Sequence, residues 1–212
     1  MTGPRAVSPD ALPELLADLC AGAAGDGRLR VALDGADAAR PGALADALVD
    51  PLRGRGLEVL RVRAHDFLRP ASLRYEYGRT DPDAYYDGWL DAGALTREVL
   101  QPLGPGGSGR WLPTLWDPVV DRATRAPTQL ASARAVLVVD GVFLLGRGLD
   151  FDLAIHLHLS PAALTRRTPA EQAWTLPAHA RYAAEAAPLG AADVVVRVDD
   201  PRHPAIQLRQ PA

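Results

Sequence analysis

Val31-Ala-Leu-Asp-Gly-Ala-Asp-Ala-Ala-Arg-Pro-Gly-Ala-Leu44 reads as a strand, a tight turn and the start of a helix. The apolar run before Asp34-Gly35 suits a buried strand. Pro41 suits a first helical turn, where its missing N–H costs nothing. A loop of this kind cradles phosphates when it reads G-x-x-x-x-G-K-[S/T]. On that template, without gaps, Gly35 is the first glycine. Arg40 then takes the second glycine position, Pro41 the lysine position and Gly42 the hydroxyl position. The spacing survives while the charged and metal-binding side chains are gone.

The 212 residues suffice for one α/β domain over 1–212 with a full core. A net charge of -3 argues against a nucleic-acid surface. All 23 basic residues are Arg, and there is no Lys or Asn. No lysine elsewhere can therefore replace the one missing from the loop, and a guanidinium is a planar fork rather than a point charge. Cys20 is the only cysteine, which excludes an intrachain disulfide and a cysteine metal cluster. The N-terminus has no basic region followed by an apolar run. No apolar stretch nears the roughly 20 residues of a membrane span. Together these features point to a cytoplasmic protein without membrane partners. The oligomeric state stays open.

Leu12, Leu15, Leu16 and Leu19 predict a short helix over 9–21 before the first core strand, with Ser8 or Asp10 as its cap. Strands are expected at 28–33, 57–63, 135–140 and 153–159, with 192–198 the last. Helices are expected at 41–52, 81–100, 161–167 and 177–187, and a hairpin within 111–127. The segment 64–80 reads as a long loop rich in Arg and Tyr. His156 and His158 alternate along a strand and read as partly exposed histidines rather than a metal pair. Strands alternating with helices predict a three-layer α/β fold, a mainly parallel sheet with helices on both faces.

Four stretches in this order resemble the uridine kinase and phosphoribulokinase group of P-loop kinases. They are Arg30 to Gly35 with the altered loop, and His65-Asp66-Phe67-Leu-Arg-Pro70 with Arg74-Tyr75 and Gly78-Arg79. Next comes Leu103 to Gly107 with Trp116-Asp117, Asp121 and Val138-Val-Asp140-Gly-Val-Phe143. The fourth is Arg181-Tyr182-Ala-Ala-Glu185 leading into Ala192 to Val196. The resemblance spans about Arg28 to Val198. It implies a P-loop NTPase-like fold, ATP and Mg²⁺ as cofactors, and a small-molecule ligand such as a nucleoside.

The resemblance also implies roles. His65 stands at the catalytic base position, followed by Asp66. Gly35, Asp37, Arg40 and Gly42 fall in the nucleotide loop, and Arg166 and Arg167 border the lid. Arg69, Arg74, Tyr75, Tyr77, Trp116, Asp117 and Asp121 fall in the acceptor region, and Asp140 at the metal-linked position. The lid, between Arg167 and Arg181, is short and has only His179 as a basic group. The joint loss of loop lysine, loop hydroxyl, acidic base and lid charge predicts a phosphotransferase scaffold with impaired or absent catalysis that still binds ligand. Two alternatives stay open: an active kinase with an Arg-based phosphate site, and an interaction protein on a kinase scaffold.

Overall fold

In a computed structural model the described residues are 3–209. The edge strand β1 (Arg5–Ala6) leads into α1 (Ala11–Ala24), the first core strand β2 (Arg28–Gly35), and the helices α2 (Pro41–Ala47) and α3 (Val49–Gly54). After β3 (Glu58–Arg63) come α4 (Ala71–Arg74), α5 (Pro82–Gly88), α6 (Ala92–Leu95) and α7 (Gln101–Leu103). Short pairs β4 (Arg110–Trp111), β5 (Trp116–Asp117), β6 (Arg122–Ala123) and β7 (Gln129–Leu130) precede β8 (Ala135–Gly141) and β9 (Leu153–His158). The chain closes with α8 (Pro161–Arg167), α9 (Leu176–Glu185), α10 (Pro188–Ala191), β10 (Val194–Arg197) and β11 (Ala205–Leu208).

Seven strands form one sheet in the order β1-β11-β10-β9-β2-β8-β3. The five from β10 to β3 run parallel, and β11 and β1 add antiparallel pairs at one edge. The central strands are apolar on both sides, as a sheet covered on two faces requires. Leu29, Val31, Leu33, Val136 and Val138 pack toward α1, α2 and α3. Ala32, Leu60, Val62, Leu137 and Val139 pack toward the α6 and α9 side. Strand parity therefore decides which face each polar residue at the strand ends joins.

Several boundaries differ from expectation. The first helix starts at Ala11, where Ser8 supplies both its carbonyl and its hydroxyl oxygen to the Ala11 amide. The single helix expected over 81–100 is interrupted. Leu90 forms a β-bridge with Leu68, and Asp91 then caps a new start by accepting from the Ala94 amide. The helix begun at Pro41 breaks at Leu48 and resumes at Val49. The segment 64–80 is not wholly loop, since 64–67 and 71–74 are helical turns. The strand at 194–197 is followed by one more, β11.

Candidate functional site

The altered loop runs from the end of β2 to the start of α2. Asp37–Ala39 closes as a 3-10 turn, with the Ala39 amide donating to the Ala36 carbonyl at 2.7 Å and the Arg40 amide to the Asp37 carbonyl at 2.9 Å. An amide that donates within the turn is not free to donate to a phosphate. Arg40 is held in the left-handed region at φ 61°. Pro41, at the first helical position, supplies no N–H.

Gly42 faces Asp140 at the end of β8. A Cβ built on Gly42 would stand 3.0 Å from Asp140 Oδ2, so the hydroxyl position and the metal-linked acid do meet in space. The other oxygen is occupied: Arg61 Nη1 donates to Asp140 Oδ1 at 2.8 Å. The same guanidinium reaches Asp46 on α2 through Nη2, also at 2.8 Å. Strand parity places Arg61, Arg63 and Asp140 on the face that α2 covers. Mg²⁺ prefers octahedral oxygen coordination. Here Gly42 offers no side-chain oxygen, and the carboxylate that faces it already has a cationic partner. These residues do not fit a Mg²⁺ ion held between loop and strand, and no lysine is present to hold a triphosphate.

Beside the loop lies a cavity of about 490 Å³. Tyr85, Trp89, Phe143 and Trp174 wall it, and Asp37, Arg40, Arg63, His65 and Asp140 line its loop side. Tyr85 is the centre of the aromatic wall, with ring centroids 4.9 Å from Trp89, 5.2 Å from Phe143 and 5.4 Å from Trp174. Trp174 belongs to the lid segment, a 3-10 turn over Ala170–Thr175. This segment thus brings an aromatic ring to the cavity and no basic side chain. Burial raises the pKa of the Asp37 carboxyl, which nearby His65 partly counteracts. His179 packs against Phe143 at 4.8 Å, and burial lowers its pKa to about 4.

The aromatic wall has a polar support beneath it. Asp34, fully buried at the end of β2, accepts from the Leu144 amide at 2.9 Å and from the Tyr182 hydroxyl at 2.9 Å. It also lies 2.7 Å from His156 Nδ1. The Tyr182 oxygen accepts in turn from the Leu145 amide. These bonds pin the segment after β8, where Phe143 is held at φ 58°, a conformation disfavoured for a bulky side chain. His156 is therefore a buried hydrogen-bonded group, contrary to the partly exposed histidine expected from the strand pattern, while His158 is half-buried. Among the described residues no group of three His, Cys, Asp or Glu side chains could hold a metal ion.

Of the residues singled out in the sequence, Asp37, Arg40, Gly42, His65 and Asp140 meet at the cavity. Gly35 lies behind the loop, facing Leu157. Asp66 is half-buried beside this group and does not line the cavity, and burial raises its pKa. The residues expected in the acceptor region do not line the cavity; the side chains of Arg74 and Tyr75 touch its wall, through Trp89. Asp121 accepts from the Ala71 amide and Trp116 Nε1. Arg74 is buried, donates to the Arg69 carbonyl, and lies over the rings of Tyr75 and Trp89. Asp117 accepts from the amides of Val119 and Val120 in the hairpin turn, and Tyr77 is exposed. Arg167 donates to the Val198 carbonyl, and Arg166 is exposed on the same helix. Arg61, Arg63, Phe143 and Trp174 were not foreseen. Their roles follow from strand parity and from where the lid folds back, which local sequence does not display.

The mainly parallel sheet with helices on both faces is a three-layer α/β fold of the P-loop NTPase-like kind. Among solved structures, the chain is similar to a protein described as "a possible uridine kinase" from Bacillus stearothermophilus, at a TM-score of 0.70 and 22% identity, covering 86% of this chain and 96% of that one. It is also similar to a protein of Silicibacter sp. TM1040 provisionally described as a fructose transport system kinase, at 0.56 and 22%, covering 84% and 94%. A third similar structure, the YGR205w protein, has a TM-score of 0.58 at 9% identity and covers 96% and 100%. No protein-family model and no curated protein matches the sequence. No helix among the described residues is long and apolar enough to cross a membrane.

Proposed function

We propose that this protein is a uridine kinase-like scaffold that binds a nucleoside or a similar ring-bearing small molecule and does not transfer phosphate from ATP and Mg²⁺ at enzyme rates. The observation that carries this reading is the Arg61–Asp140 ion pair beside Gly42. A metal-assisted phosphotransferase needs that acid and a loop oxygen for its cation. Three further features support it: the loop amides donate internally, Pro41 replaces the lysine, and the lid segment brings an aromatic ring and no basic side chain to the cavity. The cavity itself is of ligand size, and its rings offer stacking surface. Cys20 is buried, and burial raises its pKa to about 12, so the thiol is a packing group with no part in the proposed binding.

The test is a thermal-shift panel of nucleosides and nucleotides with and without Mg²⁺, run beside a phosphotransfer assay. A nucleoside at about one hundred times its Kd adds ~2.7 kcal/mol of stability. The expected result is a nucleoside shift indifferent to Mg²⁺, with no turnover. Nucleoside phosphorylation at ordinary enzyme rates would overturn the reading in favour of an Arg-based phosphate site.

A further inference from the structure

The cavity mouth holds charge that the fold does not use. Arg40 and Arg63 both line it and are exposed, and among the described residues neither guanidinium has a hydrogen bond or ion pair. Their neighbours differ. Arg61 is divided between Asp46 and Asp140, and Arg147 donates to the Tyr86 carbonyl beside Asp87. Arg181 is held by Asp83, Asp87 and Glu185. Arg61 divides its charge between Asp46 and Asp140 and so offsets Asp140 only in part, and Arg63 lies near Asp66, whose pKa its charge lowers. Asp37 is the other acid of the lining. Arg40, Arg63 and Arg147 thus set three guanidiniums against the two carboxylates of the lining, and the wall beyond them consists of Tyr85, Trp89 and Trp174.

A ligand that uses both parts carries a flat ring and one anionic end. We infer that the cavity takes its ring ligand as a phosphate monoester, so that a nucleoside 5′-monophosphate binds in preference to the free nucleoside. This rests on the ring-binding reading above. Arg40 comes from a turn and Arg63 from the end of a strand, so their planar forks approach from two elements. The three terminal oxygens of a phosphate monoester can serve two such forks at once, and guanidinium–phosphate hydrogen bonds are among the strong charge-assisted ones. A triphosphate would bring more charge than two guanidiniums balance. It would also meet a loop with no lysine and no fitted metal.

The test is isothermal titration of uridine and uridine 5′-monophosphate into the wild-type chain and into an Arg40→Gln/Arg63→Gln double variant, at low and high salt. The monophosphate should bind the wild type at least about ten-fold more tightly at low salt. That advantage should shrink at high salt, because exposed charges are screened. In the double variant the ratio of the two affinities should fall to about one. Uridine binding as tightly as its monophosphate, or a double variant that keeps the preference, overturns the inference while the ring-binding reading stands. A wild type that binds neither ligand overturns both.

Discussion

Arg61 Nη1 lies 2.8 Å from Asp140 Oδ1, so the acid that would face a metal in a P-loop kinase is ion-paired to its neighbouring strand. The pair is largely buried, with side-chain exposures of 20% and 11%. Removing one partner of such a pair leaves the other desolvated without compensation. Arg61→Gln should lower stability by about 1–3 kcal/mol in urea denaturation. It should also make the protein respond to Mg²⁺ in a thermal-shift assay, which the wild type should not. An equal Mg²⁺ response in both would show that Arg61 does not block the acid.

The loop can be rebuilt. With Gly42 facing Asp140, Arg40→Gly, Pro41→Lys and Gly42→Ser together place an N–H, an ammonium and a hydroxyl where the spacing wants them. The new Cβ at position 42 requires the Asp140 carboxylate to move by a few tenths of an ångström. The triple variant should gain ATP binding, read as a melting shift equivalent to about 2.7 kcal/mol at a hundredfold excess over Kd. A variant that folds and stays blind to ATP would mean that the frame, and not only its side chains, has changed.

The buried support of the aromatic wall gives a stability prediction. Tyr182→Phe removes the hydroxyl that donates to Asp34 and accepts from the Leu145 amide. Two buried groups then lose a partner, at a cost of about 1–3 kcal/mol each. Chemical denaturation should show a total loss of that order. Near-wild-type stability would mean that water replaces the hydroxyl.

His179 supplies a pH signature. Burial lowers its folded pKa from 6.5 to about 4, so between those values the unfolded chain takes up a proton that the folded chain refuses. Its neutral form favours folding fully above pH 6.5, and that contribution is lost as pH falls toward 4. The full difference is on the order of 3 kcal/mol. A His179→Gln variant should show a shallower decline of stability across this window than the wild type. Parallel curves would show that the ring is solvated.

Trp174 is the lid's contribution to the cavity, seated 5.4 Å from Tyr85 and 5.8 Å from Trp89. If a flat ring stacks in this wall, Trp174→Ala should weaken nucleoside binding by about 1–2 kcal/mol, roughly five- to thirty-fold. Titration calorimetry reads this directly. Unchanged affinity would place the ring elsewhere.

The layered fold was legible because parallel strands buried on both faces appear as continuous apolar runs, Ala135 to Asp140 above all. The break at Leu90 was not, since its cause is a tertiary bridge to Leu68 that leaves the local apolar spacing intact. At the cavity, the loop residues and Asp140 could be found by their order in the chain. Arg61 and Arg63 look like outward strand residues until the sheet brings β3 beside β8. Asp34 reads as a turn residue, yet it is the most buried acid of the support. Trp174 gives no sign in the sequence that its segment folds back over Tyr85.

The ion pairs of this fold are built on guanidinium. Arg30 grips Asp152 with Nε at 3.0 Å and Nη2 at 2.7 Å, and the chain contains no lysine. A guanidinium keeps its proton throughout the range in which proteins are handled. What yields first in alkali is instead a set of neutral acids whose pKa values burial raises: Cys20, then Tyr85 and Tyr182. Once unfolded, these groups ionise from about pH 8.5 for the thiol and about pH 10 for the phenols, so the unfolded chain is favoured progressively above those values. The alkaline limit of the protein is therefore set by its uncharged interior rather than by its salt bridges.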